Sequence, residues 1–283
     1  MLRKRNRENH GLVFRGLPDL KFMKVKLSER LSAVAAFVAE GNRLCDVGCD
    51  HAFLPIALVQ DSRIPSAIAM DVRKGPLAIA AGNIAEAGLE SRIETRLSDG
   101  LEALQAQEAD TVVLAGMGGQ LMLDILAKGI DAARTAKEWV LQPQSDVRRV
   151  RQWLRMTGFA IADEEMVCER GKYYPVLRVM SGAGGQGTPP GNSGRTDFCD
   201  PANEIVAALD RGIWQKDADA LSDMFGAVLL KKKHPVLREF LEKEDRRISK
   251  ILDGLADAEG GRRAELNEER RLVRLGLKKA GEK

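Results

Sequence analysis

Cysteine is scarce in this chain, and so are aromatic rings and long apolar runs. Its 283 residues include four cysteines, Cys45, Cys49, Cys168 and Cys199. Four thiols in a chain of this length do not build a disulfide framework, and their spacing is not that of a zinc site. Cys45 and Cys49 read as small packing residues, one in a buried strand and one in a tight loop, rather than as a redox or metal pair. Aromatic residues make up 5% of the chain, too few for a platform on which bases of single-stranded RNA are stacked. No apolar run reaches the roughly 20 residues needed to cross a bilayer. The basic N-terminus lacks the apolar core of a secretion signal. The expectation is a cytoplasmic protein with free thiols, no membrane partner and no metal.

Charge is nearly balanced overall, at +3, so its distribution matters more than its sum. Residues 1–26 hold Arg3, Lys4, Arg5, Arg7, Arg15, Lys21, Lys24 and Lys26 against only Glu8 and Asp19. Such an arm reads either as a nucleic-acid tether or as a solubilising tail.

From residue 27 onward the pattern is regular. Leu27, Leu31, Val34, Ala35 and Val38 recur at helical spacing, with Ser28 and Glu29 suited to a helix start. Short apolar runs follow at 43–47, 66–70, 92–97, 111–115, 139–141, 159–168 and 173–180. Helix-length segments separate the first five, at 53–60, 75–87, 101–106 and 120–127. Strands alternating with helices predict an α/β fold with a parallel sheet, because parallel neighbours need crossover connections. The last two runs are close enough to form an antiparallel hairpin at one sheet edge. Domain boundaries are expected at 1–26 (basic extension), 27–180 (catalytic domain), 181–199 (Gly/Pro-rich linker) and 200–283 (helical C-terminal domain). In the last of these, Leu237, Leu241, Ile248, Leu252 and Leu255 fit one helix face, and Gly260-Gly261 is expected to break the run. Whether those helices leave a monomer or form a dimer is open at this point.

Four predicted strand ends carry residues with chemical potential. The first strand runs into Asp46-Val-Gly48-Cys-Asp50-His51, a turn with a single glycine. It lacks the G-x-G-x-x-G spacing that brings backbone amides onto a pyrophosphate. Its acids would repel a pyrophosphate and suit an ammonium, while Gly48 permits close backbone approach. The second strand ends at Asp71, where a carboxylate suits a ribose diol. The third is followed by Ser98-Asp99-Gly100, where an acid suits an adenine amine. The fourth is followed by Ala115-Gly116-Met117-Gly118-Gly119, a loop that leaves room for something to approach. Each has a plainer alternative. Asp50 and Asp71 also suit helix N-caps, and the glycine run also suits a flexible loop. Their conjunction on successive strand ends, where open α/β sheets bind ligands, is what points to a nucleoside-bearing ligand.

The segments Leu27-Ser-Glu-Arg-Leu31, Asp46-Val-Gly-Cys-Asp-His-Ala-Phe-Leu-Pro55, Ala115-Gly-Met-Gly-Gly119 and Leu141-Gln-Pro-Gln144 resemble the bacterial tRNA (adenine-N1)-methyltransferases of the TrmK type. The resemblance runs from about residue 27 to 180 and resumes weakly from Phe225 to Ile251. It implies a Rossmann-like α/β fold with a seven-stranded methyltransferase sheet and a helical, coiled-coil-like C-terminal domain. It also implies S-adenosyl-L-methionine as cofactor, tRNA as partner, and methylation of N1 of an adenine in the D-arm region. On that resemblance the cofactor-binding residues are Asp46, Gly48, Asp50, His51, Asp71, Asp99, Gly100, Ala115 and Gly116. Gly116, Met117, Gly118, Asp50 and His51 are the candidates nearest the chemistry, and Gly118 is expected to make room for the target base. Cys49 stands where the family pattern leads one to expect Ser or Thr.

For RNA contacts, Arg148, Arg151 and Arg155 are spaced along one helix face, with Arg149 beside them. Lys231-Lys232-Lys233-His234 forms a second cluster, and Arg238, Lys243, Arg246 and Arg247 add to it. Charge of this kind neutralises phosphates without reading sequence. Two competing functions remain: a methyltransferase for another RNA or a small molecule, and a non-catalytic RNA-binding protein on the same fold.

Overall fold

The computed structural model describes residues 24–180, 215–255 and 260–281. Most of the basic arm, the Gly/Pro-rich stretch and Cys199 lie outside the described residues. The seven strands are β1 (Leu44–Val47), β2 (Ala67–Asp71), β3 (Ile93–Leu97), β4 (Thr111–Met117), β5 (Glu138–Pro143), β6 (Ala160–Glu169) and β7 (Lys172–Met180). They form one sheet in the order β3-β2-β1-β4-β5-β7-β6. The first five run parallel, and β7 is antiparallel to both β5 and β6. The expected edge hairpin is therefore β6–β7.

Every residue of β1, β2 and β5 is buried. A parallel sheet covered on both faces reads this way, as near-continuous apolar runs rather than as alternation. Two apolar cores result. Helices α1 (Glu29–Phe37), α2 (Phe53–Gln60) and α3 (Lys74–Glu86) bury Val34, Ile56 and Ile84 with Leu44 and Val113 on one face. Helices α4 (Gly119–Lys128), α5 (Ile130–Thr135) and α6 (Val147–Met156) bury Met122, Ala133 and Leu154 with Cys45 and Val112 on the other. Ser28 caps α1, its hydroxyl accepting from the Leu31 N–H at 3.3 Å. Pro55 sits in the first turn of α2, where its missing N–H costs nothing.

The expected helix at 101–106 is absent. Turns occupy 98–110 instead, held by Arg96, which donates to both Glu108 carboxylate oxygens at 2.7 Å and to the Ala103 carbonyl at 2.9 Å. Local side-chain bonds here replace the helical ladder.

The C-terminal part holds α7 (Gln215–Phe225), α8 (Ala227–Lys231), α9 (Pro235–Gly254) and α10 (Gly260–Gly281). Gly260-Gly261 thus opens α10 rather than merely ending a run. Leu237, Leu241, Ile248 and Leu252 are buried along α9, packed with Leu266, Leu272 and Val273 of α10 and with Met166 of β6. The two helices run antiparallel: Leu241 lies against Gly276, Asp245 pairs with Arg270, and Arg263 reaches the Leu252 carbonyl.

This region docks through charges that the sequence assigned to RNA. Arg151 is buried, with its Nε 2.8 Å from Glu164, and it donates to the Met224 carbonyl at 3.0 Å. Arg155 pairs with Asp223 at 2.8 Å. Lys232 pairs with Asp163 and donates to the Glu164 carbonyl at 2.8 Å, while His234 pairs with Glu165. Arg151 and Arg155 therefore tie α6 to α7; Arg151 is buried and removed from the RNA surface, while Arg155, paired with Asp223, keeps 44% of its side chain exposed. Arg148 and Arg149 stay exposed.

Glu164 also accepts from the Val228 N–H at 3.1 Å, so it serves α6 and α8 together. Breaking a buried pair leaves an uncompensated charge. Glu164→Ala should lower unfolding stability by about 3–5 kcal/mol in a urea titration. A loss under about 1 kcal/mol would show that the pair is solvated in solution.

Candidate active site

At the carboxyl ends of β1, β2 and β4 lies a cavity of about 490 Å³. β1 lies between β2 and β4 inside the sheet, and the chain leaves it toward β2 on one side and later enters β4 on the other. Crossovers that depart in opposite directions leave an uncovered crevice, the usual ligand site of such sheets.

Ten of the eleven expected site residues line this cavity: Asp46, Gly48, Asp50, His51, Asp71, Asp99, Gly100, Ala115, Gly116 and Met117. Gly118 does not. A Cβ built on Gly118 would point at the Ser145 hydroxyl, 3.2 Å away, because this residue lies behind the wall at the start of α4. Gly119 is needed for another close approach, since a Cβ there would lie 2.5 Å from the Ser145 carbonyl oxygen. Of the three glycines, only Gly116 faces the cavity. Its φ is +80°, and a Cβ would meet Arg30 Nη1 at 3.5 Å.

The turn after β1 is built from residues in unusual conformations. Gly48 has φ +73°, Asp50 +51° and Ala52 +58°. The Gly48 and Cys49 N–H groups both donate to the Met70 carbonyl, at 2.8 and 2.9 Å, which pins the turn to β2. A side chain at Gly48 would approach Met117, so the glycine keeps the floor of the cavity open. Asp50 does not cap α2. That position is held by Ala52 in the left-handed region, with no side-chain cap. The Asp50 side chain is 67% exposed and lies 3.6 Å from His51 Nε2. His51 in turn packs against Phe53, with ring centroids 5.4 Å apart.

Asp46 and Asp71 are both buried and share a sheet face, because Asp46 pairs in register with Ala69, two residues before Asp71. Asp71 accepts from the Arg73 N–H at 2.8 Å. Among the described residues, no donor bonds the Asp46 carboxylate. Burial, with the Asp71 charge adding to it, pushes the Asp46 carboxyl up to about 7. Arg73 Nε stands 3.8 Å from Asp71, at the long end of ion-pair distance and 71% exposed, while among the described residues no cation pairs with Asp46, so the two buried acids leave a wall that favours hydroxyl donors and positive charge. Ser98 is fixed by its bonds to Gly100 and Ala103, and Asp99 remains 60% exposed near Lys128. Burial raises the thiol of Cys49 well above the usual range, so this cysteine on the wall is chemically quiet.

Several wall residues escaped the sequence reading. Phe53, Val72 and Leu121 are exposed apolar side chains at the mouth, and Arg30 and Gln144 stand beside Gly116. Arg30 and Gln144 belong to the two segments already noted for their resemblance, but nothing in their local pattern placed them at a strand end.

The sheet order and this acidic, glycine-turned crevice define a methyltransferase: the chain belongs to the methyltransferase-domain family, whose profile matches residues 27–177. Its particular relatives are tRNA methyltransferases. It is 38% identical to the tRNA (adenine(22)-N(1))-methyltransferase of Bacillus subtilis over 159 residues, covering 56% of this chain and 67% of that protein. The crystal structure of the B. subtilis m1A22 tRNA methyltransferase TrmK superposes with a TM-score of 0.70 at 30% identity, over 89% of this chain and 99% of the other. M. capricolum TrmK, solved with S-adenosyl-homocysteine, gives 0.69 at 25% identity, over 90% and 99%.

The raised Asp46 carboxyl makes stability pH-dependent. A native carboxyl that holds its proton longer than in the unfolded chain contributes stability that is full below about pH 4 and lost as pH rises through about 7. The ligand-free melting temperature should therefore fall between pH 5 and 8 by more in the parent protein than in Asp46→Asn. Parallel curves for the two proteins would mean that Asp46 is ionised throughout.

Proposed function

We propose that this protein is an S-adenosylmethionine-dependent methyltransferase that methylates N1 of an adenine in the D-arm region of tRNA. The observation that carries this reading is the pair of buried acids, Asp46 and Asp71, beside a single-glycine turn at the sheet's reversal point. No helix among the described residues is long and apolar enough to cross a membrane, and the tRNA reading carries with it a cytoplasmic location.

The residues fit this cofactor. Asp71 keeps capacity to accept from a ribose diol, because among the described residues only the Arg73 backbone N–H hydrogen-bonds to it. The unbonded Asp46 carboxylate suits an ammonium. Val72, Leu121 and Ile125 offer apolar walls for an adenine, with Asp99 near enough to the slot to accept from its amine. When bound, S-adenosylmethionine supplies a methyl group activated by its sulfonium.

The chain's own task is then mainly alignment. Adenine N1 carries an in-plane lone pair and is neutral at pH 7, so no general base has to act on it. Gly116 opens the wall on the β4 side, and the rigid turn at Gly48 fixes the donor side. Holding both reactants in line removes much of the entropic barrier. As positive charge spreads into the adenine ring, carbonyl oxygens of the Ala115–Met117 backbone are suited to face its amine. Asp50 and His51 line the same cavity and serve as polar neighbours of the donor's tail. A non-catalytic RNA-binding protein would have no use for this open crevice.

Labelled S-adenosylmethionine and an unmodified tRNA transcript, followed by nucleoside analysis, should yield 1-methyladenosine. Failure of both binding and transfer would overturn the reading. Calorimetry should show binding of S-adenosylhomocysteine and none of NAD. Asp71→Ala should weaken the former by about 1–3 kcal/mol, the scale for a hydrogen bond to a charged group. Gly116→Ala should reduce transfer about tenfold or more, because a side chain is strained at that φ and enters the cavity. Gly118→Ala should keep most of it, since its methyl meets only the exposed Ser145 hydroxyl. Equal losses in the two variants would show that the base does not enter beside Gly116.

A further inference from the structure

We propose that Arg30 is the oxyanion-binding residue of this cavity, taking either the carboxylate of the methyl donor or a phosphate of the incoming nucleotide. The proposal rests on the methyltransferase reading above.

Arg30 belongs to α1, yet its head reaches the ends of β4 and β5. Its Nη1 donates to Gln142 Oε1 at 2.7 Å, and that same oxygen accepts from the Gly116 N–H at 3.1 Å. Gln142 is fully buried, so it is a fixed post. The guanidinium carbon also stands 5.9 Å from the centre of the Tyr174 ring. The head is thus held in place over the Gly116 loop, on the cavity wall.

What holds it is neutral. Among the described residues, no carboxylate lies within ion-pair distance of Arg30. Arg96, Arg151, Arg155 and Arg178 each have one, at 2.7–2.8 Å. A guanidinium carries five N–H donors in a planar fork that matches a carboxylate or a phosphate in two-point contact. Gln142 uses one of them. A glutamate at 142 would orient the same fork but cancel its charge, whereas a glutamine orients it and leaves the charge for a ligand.

The cavity is consequently polarised. Asp46 and Asp71 stand at the β1 and β2 ends, where Arg73 offsets part of the Asp71 charge but no described residue pairs with Asp46, and Arg30 stands unpaired by any described carboxylate over Gly116 of β4. A ligand with a cation toward one end and an oxyanion toward the other fits this field, as does a nucleotide entering with its phosphate beside the donor.

The test uses Arg30→Gln, which keeps a donor for Gln142, and Gln142→Glu, which keeps Arg30 but gives it a carboxylate partner. Each is compared with the parent chain in two assays: calorimetry with S-adenosylhomocysteine and decarboxylated S-adenosylmethionine, and tRNA binding across a salt series. If the anion is the donor's carboxylate, both variants lose about tenfold or more toward S-adenosylhomocysteine. They then bind the decarboxylated compound as the parent does, with the tRNA salt slope unchanged. If it is a phosphate, S-adenosylhomocysteine binding is unchanged, tRNA binding weakens, and the slope of log affinity against log salt falls by about one contact. Parent-like behaviour of Arg30→Gln in both assays overturns the proposal, as does a loss seen in Arg30→Gln but not in Gln142→Glu, which would mark a packing role. A parent chain that binds neither ligand would instead defeat the methyltransferase reading.

Discussion

The reversal of strand order between β1 and β4 is the constraint on which the site depends. From β1 the chain turns through α2 toward β2 and β3, and it must then cross to the far side to lay down β4. No connection can cover the carboxyl ends of both central strands. The crevice is a consequence of topology, and the residues around it adapt to it. Gly48 and Gly116, both at positive φ, form its two lips. The strands behind them are buried on both faces, so the lips are held at a fixed separation by packed side chains rather than by loop–loop contacts.

Opposite rules govern charge at the two ends of the sheet. At the amino ends, Glu138 is buried and fully engaged: it accepts from the Ala39 N–H at 2.9 Å, Thr111 Oγ1 at 2.8 Å and Arg178 Nε at 2.7 Å. It ties the segment after α1 to β4, β5 and β7. At the carboxyl ends, Asp46 is equally buried and no described donor bonds it. A buried acid without a partner costs stability, and the cost is tolerable because the rest of the sheet is so fully satisfied. Such imbalance is the usual mark of a binding site rather than of a scaffold.

The strands and the acidic turn were legible because their signals are local. A buried parallel strand reads as a run of apolar residues, and a single glycine between two acids reads as a turn at its end. The helix wrongly expected at 101–106 fails because residues flanking the segment, Arg96 before it and Glu108 after it, bond to each other and replace the helical ladder. The arginines of α6 were misread because periodicity shows that Arg148, Arg151 and Arg155 share a face but not what covers that face. Their partners, Glu164 and Asp223, lie in other elements, the second of them 68 positions along the chain from Arg155. Arg30 and Gln142 were invisible as a pair for the same reason, being separated by 112 positions. The glycine run was read as a single opening, whereas backbone direction splits it: Gly116 faces the crevice, and Gly118 and Gly119 back against the loop at Ser145.

That loop also joins the two parts of the molecule. Gln144 stands on the cavity wall, and Ser145 receives the Gly119 N–H at 3.1 Å. Helix α6 begins two residues later and carries Arg151 and Arg155 into α7. One ten-residue helix therefore has its first turn anchored to the crevice and its last turn anchored to the C-terminal helices. The same short helix thus links the crevice wall to the C-terminal helices. The exposed Arg148 and Arg149 lie on that same helix between the two anchors. Removing residues 200–283 to ask whether they grip RNA would also uncover the Arg151–Glu164 pair and Met166. A truncated chain would thus report on folding before it reported on binding, and charge reversals at exposed positions such as Arg148, Arg149 and Arg246 address the RNA surface without that penalty.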